Sequence, residues 1–187
     1  MRVFLDFEAS SLGKKGFPIE VGWVFEDGRA ESHLIKPAPE WTEWDEEAEA
    51  VHGISRTILD ARGTPHDLVA HRMLEVLSPH ILYASAPSWD GKWLSALLRA
   101  AGLPRHALRL RDTEEAQCEV AAEVLGSVVP PEALAGMVAE IMQAARGNGD
   151  RHPAPHRALA DAERERQMWL DVRRMAENMK AERLGLS

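Results

Sequence analysis

Only one cysteine, Cys118, occurs among the 187 residues, so no disulfide can close within the chain and a Cys-x-x-Cys metal site is excluded. Lying in an Ala/Val-rich stretch, Cys118 reads as a small apolar packing residue rather than a nucleophile. Long apolar runs are missing too. Nothing approaches the ~18–20 residues of a membrane span. The N-terminal run Val3-Phe4-Leu5 is broken at once by acids and is too short for a signal peptide. These absences predict a reducing, cytoplasmic setting and no membrane partner. Positive charge is also in deficit: 22 Lys and Arg stand against 30 Asp and Glu, a net charge of −8. That excludes a protein that holds nucleic acid mainly through overall positive charge. It leaves open one that grips a short piece through metal ions and a local basic rim. Internal repeats and low-complexity segments are absent.

What is present is ordinary for a globular chain: 45% hydrophobic and 28% charged residues. At this length roughly 70% of the unfolded surface can be buried, and residues 1–187 are expected to form one domain. Residues 2–8 read as a strand, Ile19 to Phe25 as a second, and Ser32 to Ile35 as a third, with an Asp-Gly turn at 27–28. An acidic helix is expected over Glu43 to Val51, closed near Gly53. Leu68, Met73, Leu74 and Leu77 predict a helix ended by Pro79, followed by a short strand from Ile81 to Ala84. Trp93, Leu94, Leu97, Leu98 and Ala101 recur at helical spacing until Gly102 and Pro104. A strand over 108–110 and helices over 113–125, 131–146 and 156–180 complete the reading. The segment 147–155 is a breaker-rich loop. Strands first, then alternating helices and strands, predict an α/β domain with a mixed central β-sheet flanked by α-helices.

Several acids interrupt this pattern where a core is expected. Asp6 and Glu8 are two apart on a strand, so their side chains leave the same face. Burying two like charges costs several kcal/mol each unless something compensates. Mg²⁺ is a natural compensator because it takes hard oxygen ligands; solvent exposure of that face is the plain alternative. Asp161 lies near the start of the last helix and shares a face with apolar Ala158, Met168 and Val172. It reads either as a functional acid or as a first-turn acid favoured by the helix dipole. His156 precedes it by five residues, about 140° around a continuous helix. Both can therefore serve one site only if His156 lies in the loop or a fraying first turn, where an imidazole is suited to general-base work. Asp90 precedes Gly91-Lys92-Trp93 and reads equally as a helix N-cap.

Taken together, Asp6, Glu8, Asp90, His156 and Asp161 resemble the DEDDh, or DnaQ-like, family of 3′–5′ exonucleases on the ribonuclease H-like fold. The stretch Asp6-Phe7-Glu8-Ala9-Ser10-Ser11-Leu12 is similar to that family's first motif. Pro87-Ser88-Trp89-Asp90-Gly91-Lys92-Trp93-Leu94 is similar to the second, and His156-Arg157-Ala158-Leu159-Ala160-Asp161 to the third. Val51-His52-Gly53-Ile54-Ser55 resembles a segment often found between the first two. Ala9 and Ser11 depart from the usual Thr and Gly, and Ala86 replaces a usual Asn. The helical stretch around 126–146 is longer than many members need.

The resemblance implies a two-metal hydrolase. Asp6, Glu8 and Asp161 would hold one Mg²⁺ or Mn²⁺, Asp6 would bridge to a second ion with Asp90 helping through water, and His156 would be the general base. It also implies Ser10 and Leu12 beside the 3′-terminal nucleotide of single-stranded DNA or RNA. Trp89 is a candidate for stacking on a base. Lys14, Lys15, Arg151 and Arg157 are candidates for a basic rim. Apolar residues along the last helix, Trp169, Val172, Met175, Ala176 and Met179, are expected to pack within the chain, with a homodimer contact as the alternative. Competing expectations are a silent nucleic-acid-binding domain on the same fold, an accessory subunit, and another metallohydrolase.

Overall fold

A computed structural model describes residues 1–148 and 156–186. The breaker-rich segment, with Arg151 in it, falls largely outside them. The first three strands form an antiparallel meander: β1 (Arg2–Ala9), β2 (Pro18–Phe25) and β3 (Ala30–Lys36). Two short helices follow, α1 (Glu46–His52) and α2 (Arg56–Arg62). Next come the two-residue strand β4 (Thr64–Pro65), α3 (His66–Leu77), β5 (Ile81–Ala84), α4 (Pro87–Ala100) and β6 (Leu110–Asp112). Three helices end the chain: α5 (Thr113–Leu125), α6 (Pro131–Asn148) and α7 (Ala158–Arg183). The sheet order is β4-β3-β2-β1-β5-β6. β5 runs parallel to β1 and β6 parallel to β5, which makes the sheet mixed, as expected.

Alternation along β1 sorts the molecule into two layers. Val3, Leu5 and Phe7 join Val21, Trp23 and Phe25 of β2 on one face, buried against α3 and α4. Phe4, Asp6 and Glu8 point to the other face. There Phe4, Val24 and Tyr83 pack with α5, α6 and the apolar stripe of α7. Trp169, Val172 and Ala176 of that stripe are buried within the chain, so the intrachain expectation holds for them. Cys118 is half-buried at the edge of the same cluster.

Local chemistry accounts for the boundaries that differ from expectation. The acidic helix begins at Glu46 because Asp45 is its N-cap, its carboxylate accepting from Glu47 N at 2.9 Å. Its end is set by Gly53 in the left-handed region (φ 69°). Helix α2 was not anticipated. Only seven residues long, it starts where Ser55 Oγ accepts from Ile58 N. Trp41 and Trp44, unassigned by sequence, close a small cluster over Phe17, with ring centroids 5.3 and 6.3 Å away. No helix among the described residues is long and apolar enough to cross a membrane.

Candidate active site

Strand β1 presents Asp6 and Glu8 side by side on the α7 face, with Asp6 opposite Gly22 and Glu8 opposite Glu20 of β2. Gly22 makes the site possible. A Cβ there would sit 2.3 Å from Leu159 N and 2.4 Å from Leu159 Cα, so only glycine lets the first turn of α7 rest directly on the sheet. Glu20, 3% exposed, then fastens that turn. Its carboxylate accepts from Arg157 Nη2 at 2.6 Å, from Arg157 Nε at 3.0 and 3.2 Å, and from Ala158 N at 3.0 Å. Arg157 is therefore not a free rim charge; its fork is closed on Glu20.

This docking brings the third motif to the first. One ligand atom from each of Glu8, His156 and Asp161 lies within 4.8 Å of the others. His156 is exposed and precedes Arg157, whose backbone is extended (φ −141°, ψ 125°). The five-residue spacing is thus bridged outside the helix, as the sequence required. Asp161 also receives Arg164 Nη1 at 2.5 Å.

Asp6 and Asp90 stand beside this trio and are coupled to it electrostatically. Burial pushes the Asp6 carboxyl up to about 9, with Asp90, Glu8, Asp161 and Glu165 adding repulsion. Burial likewise lifts Glu8 to about 7, helped by Asp161 and Glu20 and opposed by Arg157. Asp90, in the first turn of α4 and 3% exposed, is raised by burial to about 7, against backbone groups at Phe7 and Ala86. Its Oδ2 is buried with no hydrogen-bond partner among the described residues.

Those features fit a divalent cation. The donors are hard oxygens plus one imidazole, they repel one another without a counter-ion, and a buried carboxylate oxygen is left over. Glu8, His156 and Asp161 have the ligand spacing for one, and Asp6 and Asp90 are the further acids coupled to them.

Two participants were missed from sequence. Glu165, one turn after Asp161 and on its face, is half-buried and its carboxyl is raised by burial. The i+4 spacing was the available signal. Glu20 had no local signal, because its partners lie 137 and 138 residues away.

The expected substrate contacts divide. Leu12 is 70% exposed, and Trp89 is 42% exposed and stacked on Trp93 at 6.0 Å. Ser10 is fully buried; its Oγ accepts from Phe17 N at 3.1 Å. Its side chain closes the β1–β2 loop and offers no face to a nucleotide. His52 is also internal, its Nδ1 accepting from Ile54 N at 3.0 Å.

No protein-family model and no curated protein matches the chain. Solved structures do. A zinc-bound complex of Escherichia coli exonuclease I with single-stranded DNA superposes with a TM-score of 0.60 at 16% identity, covering 99% of this chain and 41% of that one. Exonuclease I from Methylocaldum szegediense gives 0.65 at 17% identity, covering 95% and 42%. The E. coli enzyme with a dA16 oligonucleotide gives 0.64 at 15%, covering 98% and 44%. The chain thus spans about two-fifths of the length of these nucleases, and at such identity the likeness is one of fold. The chain carries the ribonuclease H-like α/β fold of exonuclease I, the architecture that its three acidic motifs imply.

Proposed function

We propose that this protein is a metal-dependent 3′–5′ exonuclease acting on single-stranded DNA or RNA, with the catalytic machinery within one domain. The observation that carries this reading is the meeting of Glu8, His156 and Asp161 within 4.8 Å, beside half-buried Asp6 and buried Asp90, whose carboxyls are held far above their ordinary range. Such a cluster is a poor phosphate site alone and a good one with cations. Bound Mg²⁺ or Mn²⁺, two ions by the family resemblance, would supply charge stabilisation to the attacking and leaving oxygens of the phosphodiester.

The chain's own residues supply the rest. His156, at the exposed lip of the site, takes the proton of the attacking water on a ring nitrogen. Glu8 and Asp161, each with a carboxylate oxygen within 4.8 Å of a His156 ring nitrogen, stabilise the imidazolium that forms. Glu20 and Arg157 hold the turn that carries His156 in register with β1. Exposed Leu12 and Trp89 offer apolar surface to bases near the 3′ end, which is sequence-tolerant because every base has a π-face. The fold shared with exonuclease I, solved with single-stranded DNA, supports single strands as substrate.

One observation favours a silent binding domain instead: Arg164 already provides a counter-charge to Asp161. A single assay separates the two. Single-stranded DNA and RNA of matched sequence, labelled at the 5′ end, are incubated with Mg²⁺, Mn²⁺ or chelator, with Asp161→Asn alongside. The exonuclease gives a metal-dependent ladder shortening from the 3′ end, absent in the variant. Binding of both strands without cleavage establishes the silent domain.

A further inference from the structure

We infer that a basic groove along the first turns of α4 carries the phosphate backbone of a single strand whose 3′ end lies in the acidic site. This inference rests on the exonuclease reading above and extends it to the upstream nucleotides. The groove is a cavity of about 520 Å³ between α4 and the segment leading into β6. Lys92, Arg105, His106 and Arg109 contribute to its wall, and no carboxylate does.

That composition stands out against the rest of the chain. With a net charge of −8, this protein closes nine of its sixteen described arginines on acids, Arg2, Arg72, Arg111, Arg157 and Arg164 among them. Lys92, Arg105 and Arg109 have no ion pair among the described residues. Arg105 spends only its Nε, donating to His106 Nε2 at 2.8 Å. A row of cations without acids is where a polyanion meets attraction rather than the repulsion of the overall charge.

The groove and the site share the first turn of α4. Pro87 and Gly91, which line it, bracket Asp90 in the first turn of α4. Lys92 Nζ donates to Gly13 O at 2.6 Å, joining α4 to the loop that carries exposed Leu12. The same ammonium lies 4.1 Å from the centroid of Trp93 and 5.1 Å from that of Trp89. A stacking surface and a cationic track therefore adjoin, the pairing that holds single strands without reading sequence. From Pro87 to Ser95 the helix rises about 12 Å, enough for about three phosphates at the ~3.4 Å spacing of a stacked strand.

The test uses Asp161→Asn protein with Mg²⁺, so that strands are bound and not cut. Anisotropy of 5′-labelled dT3 and dT12 is read between 50 and 200 mM salt, with and without the added pair Arg105→Gln and Arg109→Gln. The parent should bind dT12 more tightly than dT3. The double substitution should abolish that gain, weaken dT12 about tenfold and flatten the salt slope by about 1.4, the ~0.7 per lost phosphate contact of a single strand. Arg105→Lys with Arg109→Lys should keep most of the slope, which separates charge from packing. Unchanged dT12 affinity and slope in the Gln variant, with a native thermal melt, overturns the groove and leaves the exonuclease reading standing. Equal weakening of dT3 and dT12 also overturns it, by moving the contacts to the 3′ end. A parent that binds neither oligonucleotide removes both.

Discussion

Replacing Asp6 by Asn should destroy hydrolysis and stabilise the cation-free protein. The Asp6 carboxyl sits at about 9 in the fold against 3.8 ordinarily, so the folded state binds its proton more tightly than the unfolded state does. Its stability contribution is complete below the unfolded value and is lost as pH rises from about 4 towards 9. At pH 8 an unfolded Asp6 is ionised by about four pH units. Keeping it protonated in the fold then costs up to about 6 kcal/mol, at about 1.4 kcal/mol per pH unit. At pH 5 the same cost is about 1–2 kcal/mol. Neighbouring acids share the proton, so about 3–6 kcal/mol is expected back at pH 8 when the charge is removed isosterically. At ~2–4 °C per kcal/mol for a chain of this size, the melting temperature should rise by roughly 10 °C at pH 8 and only a few degrees at pH 5. Calorimetry of chelator-treated native and Asp6→Asn protein at both pH values reads this directly. An unchanged or lower melting temperature at pH 8, or the same gain at both pH values, refutes the claim that Asp6 is desolvated among repelling acids.

Three other outcomes follow from the same geometry. Millimolar Mg²⁺ or Mn²⁺ should raise the melting temperature more at pH 8 than at pH 5, because Asp6, Glu8 and Asp90, at about 9, 7 and 7, must shed protons to ligate; a shift independent of pH would mean the cations bind elsewhere. Glu20→Ala should cost about 2–3 kcal/mol in urea unfolding, less than a fully buried pair because the Arg157 side chain is 47% exposed and regains water. A loss under ~0.5 kcal/mol would show that the α7 turn needs no fastening. Gly22→Ala should lose at least ~2 kcal/mol and most hydrolysis, since its methyl group meets Leu159 backbone at 2.3 Å; a native melting temperature would place α7 further from the sheet.

The layer architecture was readable because it is written in local periodicity. Alternation in β1 separates Val3, Leu5 and Phe7 from Phe4, Asp6 and Glu8, and the observed packing follows it. The helix around Trp93 and Leu97 and the strand Ile81–Ala84 were legible for the same reason. Asp161 was assigned its face by apolar company, yet Met168, one of those companions, is 38% exposed. The other two, Ala158 and Val172, are buried as expected, and Glu165 joins them on that face. What escaped is what depends on two distant elements meeting. Arg157 looks like any surface cation until Glu20 is seen beneath it, and Gly22 looks like a weak strand residue until α7 is laid on it. Ser10 erred the opposite way: its place in the first motif suggested a nucleotide, but the tight turn after β1 takes up its hydroxyl.

Helix α7 ties these observations into one physical account. Its 26 residues span about 39 Å, far more than delivering His156 and Asp161 requires. The acids it delivers are costly neighbours: each ionised carboxylate added to Asp6 and Glu8 raises the electrostatic energy of the cation-free fold. A short helix would relieve that repulsion by swinging away. The length of α7 prevents this, because Trp169, Val172 and Ala176 are buried against Phe4, Val24 and α5. Each buried Val or larger side chain contributes about 1.5–3 kcal/mol, enough in sum to offset the repulsion at the other end. Glu20 and Arg157 then act as a local clamp where the apolar anchor no longer reaches. The helix holds an unfavourable charge cluster in place by burying its far end, and on the proposed reading a cation would relieve it.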